Sequence, residues 1–145
     1  MLSIDDSESF VRWQGITITQ LTYSVNMVLG LSTASLGFDV TLLMNKEFVP
    51  ESWQQFMFAA AFLALLLSIV IGIWCIVNRL LDFRLTMWAT RDRDKDSARA
   101  ETNRAMANSL GKKTWALFWG QIGTFGAGVL LTVAVVAGVY GHKLI

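Results

Sequence analysis

Apolar residues collect along the chain into three long stretches that differ in how polar positions interrupt them. Met57 to Val77 and Thr114 to Gly141 contain no charged residue, and Trp13 to Phe38 contains none either. Each stretch reaches the roughly 20 residues that a helix needs to cross about 30 Å of hydrocarbon. The pattern predicts an all-α, polytopic membrane protein of one domain, residues 1–145, with spans at about 16–43, 55–78 and 114–141.

The second stretch does not stop where its apolar run ends. NRLLDFRLTMWATRDRDKD follows from Asn78 to Asp96, and no Gly or Pro occurs between Asn78 and Gly111. The second helix is therefore expected to continue to about residue 90, roughly 18 Å past the membrane at 1.5 Å per residue. RDRDKD supplies the expected bend, and Asp96 or Ser97 a suitable N-cap for a return helix that Gly111 would end. The expected result is a cytoplasmic helical hairpin over 79–113. Leu81, Leu85 and Trp88 share one face of its descending arm, so they are candidate contacts. Trp88 lies about 15 Å beyond Asn78, too far from the span to act as an interfacial anchor, and is expected to be buried in a hairpin or subunit contact. An arm with so little to bury is marginal alone, so neighbouring copies or a protein partner are expected to cover it.

The polar positions give each span its own character. In the second, Ala61, Ala64, Ser68, Gly72 and Cys75 recur at three- and four-residue spacing, a stripe of small residues that lets another helix approach closely. In the third, Gly120, Thr124 and Gly128 form one ladder of small residues, with Gly123 and Ala127, then Ala134 and Gly138, forming others. Close contact on more than one side is expected, including contact with other subunits.

The first span carries the most polar groups, with Thr19, Thr22, Asn26, Gly30, Thr33 and Gly37 on one helical stripe. Such residues are costly against lipid unless they bond a neighbouring helix or line water. Hydrogen bonding within a compact bundle, the wall of an aqueous path in an oligomer, and a substrate or quinone pocket are the readings this stripe permits. Asp39, near the end of the same helix, is expected at the interface, solvated or paired with Lys46. Buried between helices, it would instead be a candidate ion or proton site.

Charge adds orientation. The connection between the second and third spans holds nine basic residues against five acidic ones, while the loop joining the first two has a single lysine, Lys46. The positive-inside rule then puts the long connection and the N-terminus in the cytoplasm and the C-terminus outside, in a bacterial inner membrane by default. The same basic residues attract phosphates, but the interspersed acids make a topological signal the better account, and no nucleic-acid partner is expected. Trp13, Trp53, Trp115 and Trp119 fall near span ends, where indole rings favour the headgroup region. The acidic N-terminal segment lacks a basic signal-peptide region, so the first span is expected to be retained.

Composition removes most chemistry. One histidine and one cysteine, Cys75, exclude an intramolecular disulfide, a two-histidine haem site, a zinc centre and a Ser-His-Asp triad. No nucleotide-binding glycine loop or HExxH motif appears. No cofactor, metal site or enzymatic activity is expected. The expected function is a small oligomeric membrane protein that forms or gates a pore or perturbs the bilayer. The alternative is a non-catalytic accessory or assembly subunit of a larger membrane complex.

Overall fold

The computed structural model describes residues 4–91 and 97–141. It is all-helical, with α1 over Ile4–Met44, α2 over Ser52–Arg91 and α3 over Ser97–Tyr140. All three are long and apolar enough to cross a membrane. At 1.5 Å per residue each runs to about 60 Å, roughly twice the hydrocarbon thickness, so one end of every helix must project from any bilayer it enters.

Pairing fixes the directions. Asn78 meets Leu110 and Thr114, Ser68 meets Gln121, and a side chain at Gly128 would meet Ala61 and Leu65. Position number falls on α3 as it rises on α2, so the two helices are antiparallel. α1 meets Gln121 through Val25 and Thr132 through Asp39, and therefore runs parallel to α3. The molecule is an up-down-up bundle.

Buried positions on α2 are Gln54, Phe58, Ala61, Leu65, Ser68, Gly72, Cys75 and Asn78, which step mostly by four and three. On α3, Thr114, Gln121, Gly128 and Val135 are buried at intervals of seven, and on α1 so are Val25, Ser32 and Asp39. This is the seam spacing of helices that wrap with a left-handed supercoil. The opposite faces, with Phe56, Leu63, Leu67, Val70 and Trp74 on α2, stay exposed and apolar.

The tight connection between α1 and α2 explains why the two pack. Asn45 donates its backbone N–H to Leu42, and Phe48 donates to Asn45, both at 3.0 Å. Asn45 Oδ1 accepts from Glu47 N, an Asx turn. Gln54 Oε1 then accepts from Glu51 N at 2.8 Å, which satisfies an orphan donor at the start of α2. Phe48 folds back onto Phe58, with ring centroids 5.3 Å apart, in a cluster with Leu42 and Val135.

Two expectations need correction. No return helix ends at Gly111: α3 runs unbroken through it from Ser97. A mid-helix glycine costs only about 1 kcal/mol, and Thr114, one turn on, ties α3 to Asn78. α1 begins at Ile4, ahead of the span expected from about residue 16, and its membrane-length apolar window is Thr19–Met44. Trp88, expected to be buried in a hairpin or subunit contact, is 42% exposed within the protomer, so the hairpin does not bury it: the opposite arm has too little apolar surface to cover it. The guanidinium of Arg84 sits over its ring instead, 5.6 Å from the centroid. The bend expected at RDRDKD falls at 92–96, outside the described residues, as do 142–145 and the side chain of Trp13.

Candidate functional site

Two separate sets of polar residues define the molecule, one inside the bundle and one on its surface. The interior set follows the seam. At the end near the 92–96 connection, Asn78 donates through Nδ2 to Leu110 O at 3.3 Å and to Thr114 Oγ1 at 3.4 Å. One turn along, the Cys75 thiol points at Thr114 O, 3.7 Å away, which makes the cysteine a small packing residue.

Further along, Gln121 is completely buried, and its Nε2 donates to Val25 O at 3.4 Å. Gly72 makes this possible, since a Cβ there would collide with the Gln121 amide. The Gln121 side-chain oxygen is buried without a hydrogen bond. Ser68 donates to Gln121 O at 3.1 Å, and its oxygen stands 3.0 Å from Ser32 Oγ, joining all three helices at one level. A serine hydroxyl is small enough to sit in a helix contact and still bond across it.

Asp39 lies two turns beyond Ser32 on the same face of α1. Against expectation it is not at a solvated interface: it is fully buried, 0% exposed. The seven-residue repeat that buries Val25 and Ser32 carries Asp39 inward too. Thr132 Oγ1 stands 3.1 Å from Oδ1 and 3.3 Å from Oδ2, so one hydroxyl faces both carboxyl oxygens. No pairing with Lys46 is seen; that lysine is exposed.

The surface set is the stripe expected to be functional. Thr19, Thr22, Asn26 and Thr33 are all exposed, as are Gly30 and Gly37 on the same stripe. They lie about 100° around α1 from the Val25, Ser32 and Asp39 seam, one residue being one such step. Thr33 returns its hydroxyl to Leu29 O at 2.9 Å. The structure thus separates two roles that the sequence ran together: interhelical bonding falls to Ser32 and Asp39, while the stripe faces outward.

The α3 candidates also divide. Gly128 is the close-approach position, where a Cβ would stand 2.8 Å from Leu65 Cγ and Cδ2 and 3.3 Å from Ala61 O. A Cβ at Gly138 would stand 2.9 Å from Gln54 Nε2. Gly120 would barely reach Ile71 and Gly123 nothing at all. Thr124 is half-buried and donates within its own helix, to Gly120 O and Gln121 O. Gly120, Gly123 and Ala127 are left as an exposed small-residue face. On the projecting arms, Leu85 is half-buried, while Leu81, Phe83, Met87, Trp88 and Met106 are exposed.

Sequence reasoning missed Ser32, Gln121, Thr132, Asn78 and Thr114. Ser32 falls on the series Val25, Ser32, Asp39, and Thr114 and Gln121 on the series that continues to Gly128 and Val135, but the exposed Thr19, Asn26 and Thr33 share that spacing, and Asn78 and Thr132 lie on neither series. A groove of about 490 Å³ beside Leu43, Pro50, Phe58 and Phe62 is lined almost wholly by apolar residues. Among the described residues no three His, Cys, Asp or Glu side chains gather as metal ligands would. Comparison with protein-family models, with curated proteins and with solved structures finds no match.

Proposed function

We propose that the chain is an integral membrane protein of three spans, non-catalytic, whose copies associate through the polar face of α1 to form or gate a hydrated path across the bilayer. The observation that carries this reading is the exposure of Asn26 within the stripe of Thr19, Thr22 and Thr33. An amide turned toward hydrocarbon costs several kcal/mol, and a neighbouring helix or water removes that cost. The exposed small residues Gly120, Gly123 and Ala127 supply a second, different face. Two unlike faces on one protomer suit a head-to-tail ring of copies. The nine basic residues of the 79–113 connection support a cytoplasmic position for it. Ion flux from liposomes holding the purified protein tests the reading. Dye-loaded liposomes that stay tight contradict it.

A second reading, an accessory subunit of a larger membrane complex, is favoured by the projecting arms. Leu81, Phe83, Met87, Trp88 and Met106 expose apolar surface beyond the expected span, and exposed patches of this kind mark partner contacts. A partner retained at fixed stoichiometry, and lost on Trp88→Glu, would favour it over the pore.

A further inference from the structure

Asp39 is the one acid within the three expected spans, 16–43, 55–78 and 114–141, and its surroundings set how its charge is balanced. It is fully buried, with Thr132 facing both oxygens. An ionised carboxylate out of water is stable only if a cation or several donors compensate it. Thr132 supplies one donor. No Lys or Arg occurs between Trp13 and Asn45, between Ser52 and Asn78, or between Thr114 and Gly141. A second copy packed against these spans brings none either, so oligomerisation cannot supply the missing charge from its membrane segments.

The other titratable groups within the expected spans and the α1–α2 loop do not change this; the remaining charged residues of the three helices lie outside those spans. On α1 and its loop they are Tyr23, far toward the other end, then Lys46 and Glu47, both exposed. Lys46 lies seven residues on, about 10 Å along the axis. α2 offers Cys75, remote from this level, and Glu51 precedes its first residue; α3 offers Tyr140 at the loop end. A metal ion fits poorly. Asp39 and Thr132 present three oxygens, whereas a cation such as calcium takes about 6–8.

We propose that Asp39 is a proton-binding site within the membrane, its charge cancelled by a proton while Thr132 holds the carboxyl against α3. Binding forms an O–H bond on one carboxyl oxygen, and the proton comes from the aqueous phase at the loop end, the nearer one. The resulting carboxylic acid can donate to Thr132 as well as accept from it. Release leaves a charge at the α1–α3 contact without a counter-ion, so proton occupancy governs how firmly α1 seats. The same helix carries the outward polar stripe, and the site therefore couples pH to the face through which copies are proposed to associate.

The inference rests on the membrane reading, and the test separates the two. Full-length protein in lipid nanodiscs is labelled with carboxyl-¹³C aspartate and followed by infrared spectroscopy at pH 7, where exposed Asp and Glu, with reference values of about 3.9 and 4.3, are ionised. One protonated-carboxyl carbonyl band that shifts with the aspartate label, is lost in Asp39→Asn and moves in Thr132→Val is the expected result. Absence of a label-sensitive band in the wild-type protein overturns the site, whatever becomes of the variants. Persistence of the band in Asp39→Asn does so too. Release of the protein from native membranes by alkaline carbonate sinks the membrane reading as well, whereas a retained protein without the band contradicts the proton site alone.

Discussion

Ser32 and Ser68 hold their hydroxyl oxygens 3.0 Å apart where α1 crosses α2, and Ser68 passes the link on to Gln121 O of α3. All three helices meet at that pair. Interhelical hydrogen bonds in a membrane contribute about 0.6 kcal/mol on average and rarely more than about 1.7. Ser32→Ala and Ser68→Ala are expected to destabilise non-additively, with a coupling energy in that range. A double-mutant cycle on detergent or steric-trap unfolding measures it; fully additive effects would show that the pair makes no bond.

Gly128 and Gly123 are five residues apart on α3 and predict opposite outcomes. An alanine at 128 places its Cβ 2.8 Å from Leu65 and 3.3 Å from the Ala61 carbonyl, while one at 123 meets nothing within 4 Å. Gly128→Ala is expected to destabilise the protomer by about 1–3 kcal/mol, the usual cost of overpacking. Gly123→Ala should leave the protomer unharmed, since alanine is the better helix former. Comparing the unfolding of the two variants checks the register of α2 against α3. Equal effects would contradict it.

Thr132→Val removes the hydroxyl from Asp39 while keeping the side-chain volume. A buried acceptor that loses its donor costs about 1–3 kcal/mol, and α1 should loosen from α3. Cross-linking between cysteines placed on the exposed flanks of α1 and α3 reports the loosening. An unchanged cross-linking rate would mean that the contact does not hold α1.

How much of this was legible in the sequence depends on which physical signal each residue carried. The three helices long and apolar enough to cross a membrane were legible from the charge-free runs, because hydrocarbon thickness sets a length that a sequence displays directly. The continuation of α2 to Arg91 was legible too, from the lack of Gly and Pro after Asn78. The facing of α1 was not. Its polar residues cover most of the helix circumference, and the outward stripe through Asn26 is chemically richer than the inward one through Ser32. Both recur at intervals of seven, Thr19, Asn26 and Thr33 outward and Val25, Ser32 and Asp39 inward, so spacing alone does not tell the two apart. Gln121 was hidden for another reason: its burial depends on Gly72 of a different helix, and one sequence does not show that pairing. Trp88 was legible only as a contact residue: its apolar character does not say whether the other arm or another subunit covers it, and within the protomer the opposite arm leaves it exposed.

The projecting arms yield a further expectation. Trp88→Glu and Leu81→Glu change exposed positions, so protomer stability should shift by no more than about 0.5 kcal/mol. Any partner that covers these arms should be lost. Thermal unfolding in parallel with co-purification measures both, and a collapse of the protomer itself would show that the arms are buried after all.

The central claim is association through the outward stripe of α1, and the mass of the assembly in lipid nanodiscs tests it most directly. The account predicts one defined oligomer for the wild-type protein, reverting to smaller species when Asn26 and Thr33 are replaced by leucine. A wild-type protein that remains monomeric, or an oligomer indifferent to those two substitutions, would contradict it.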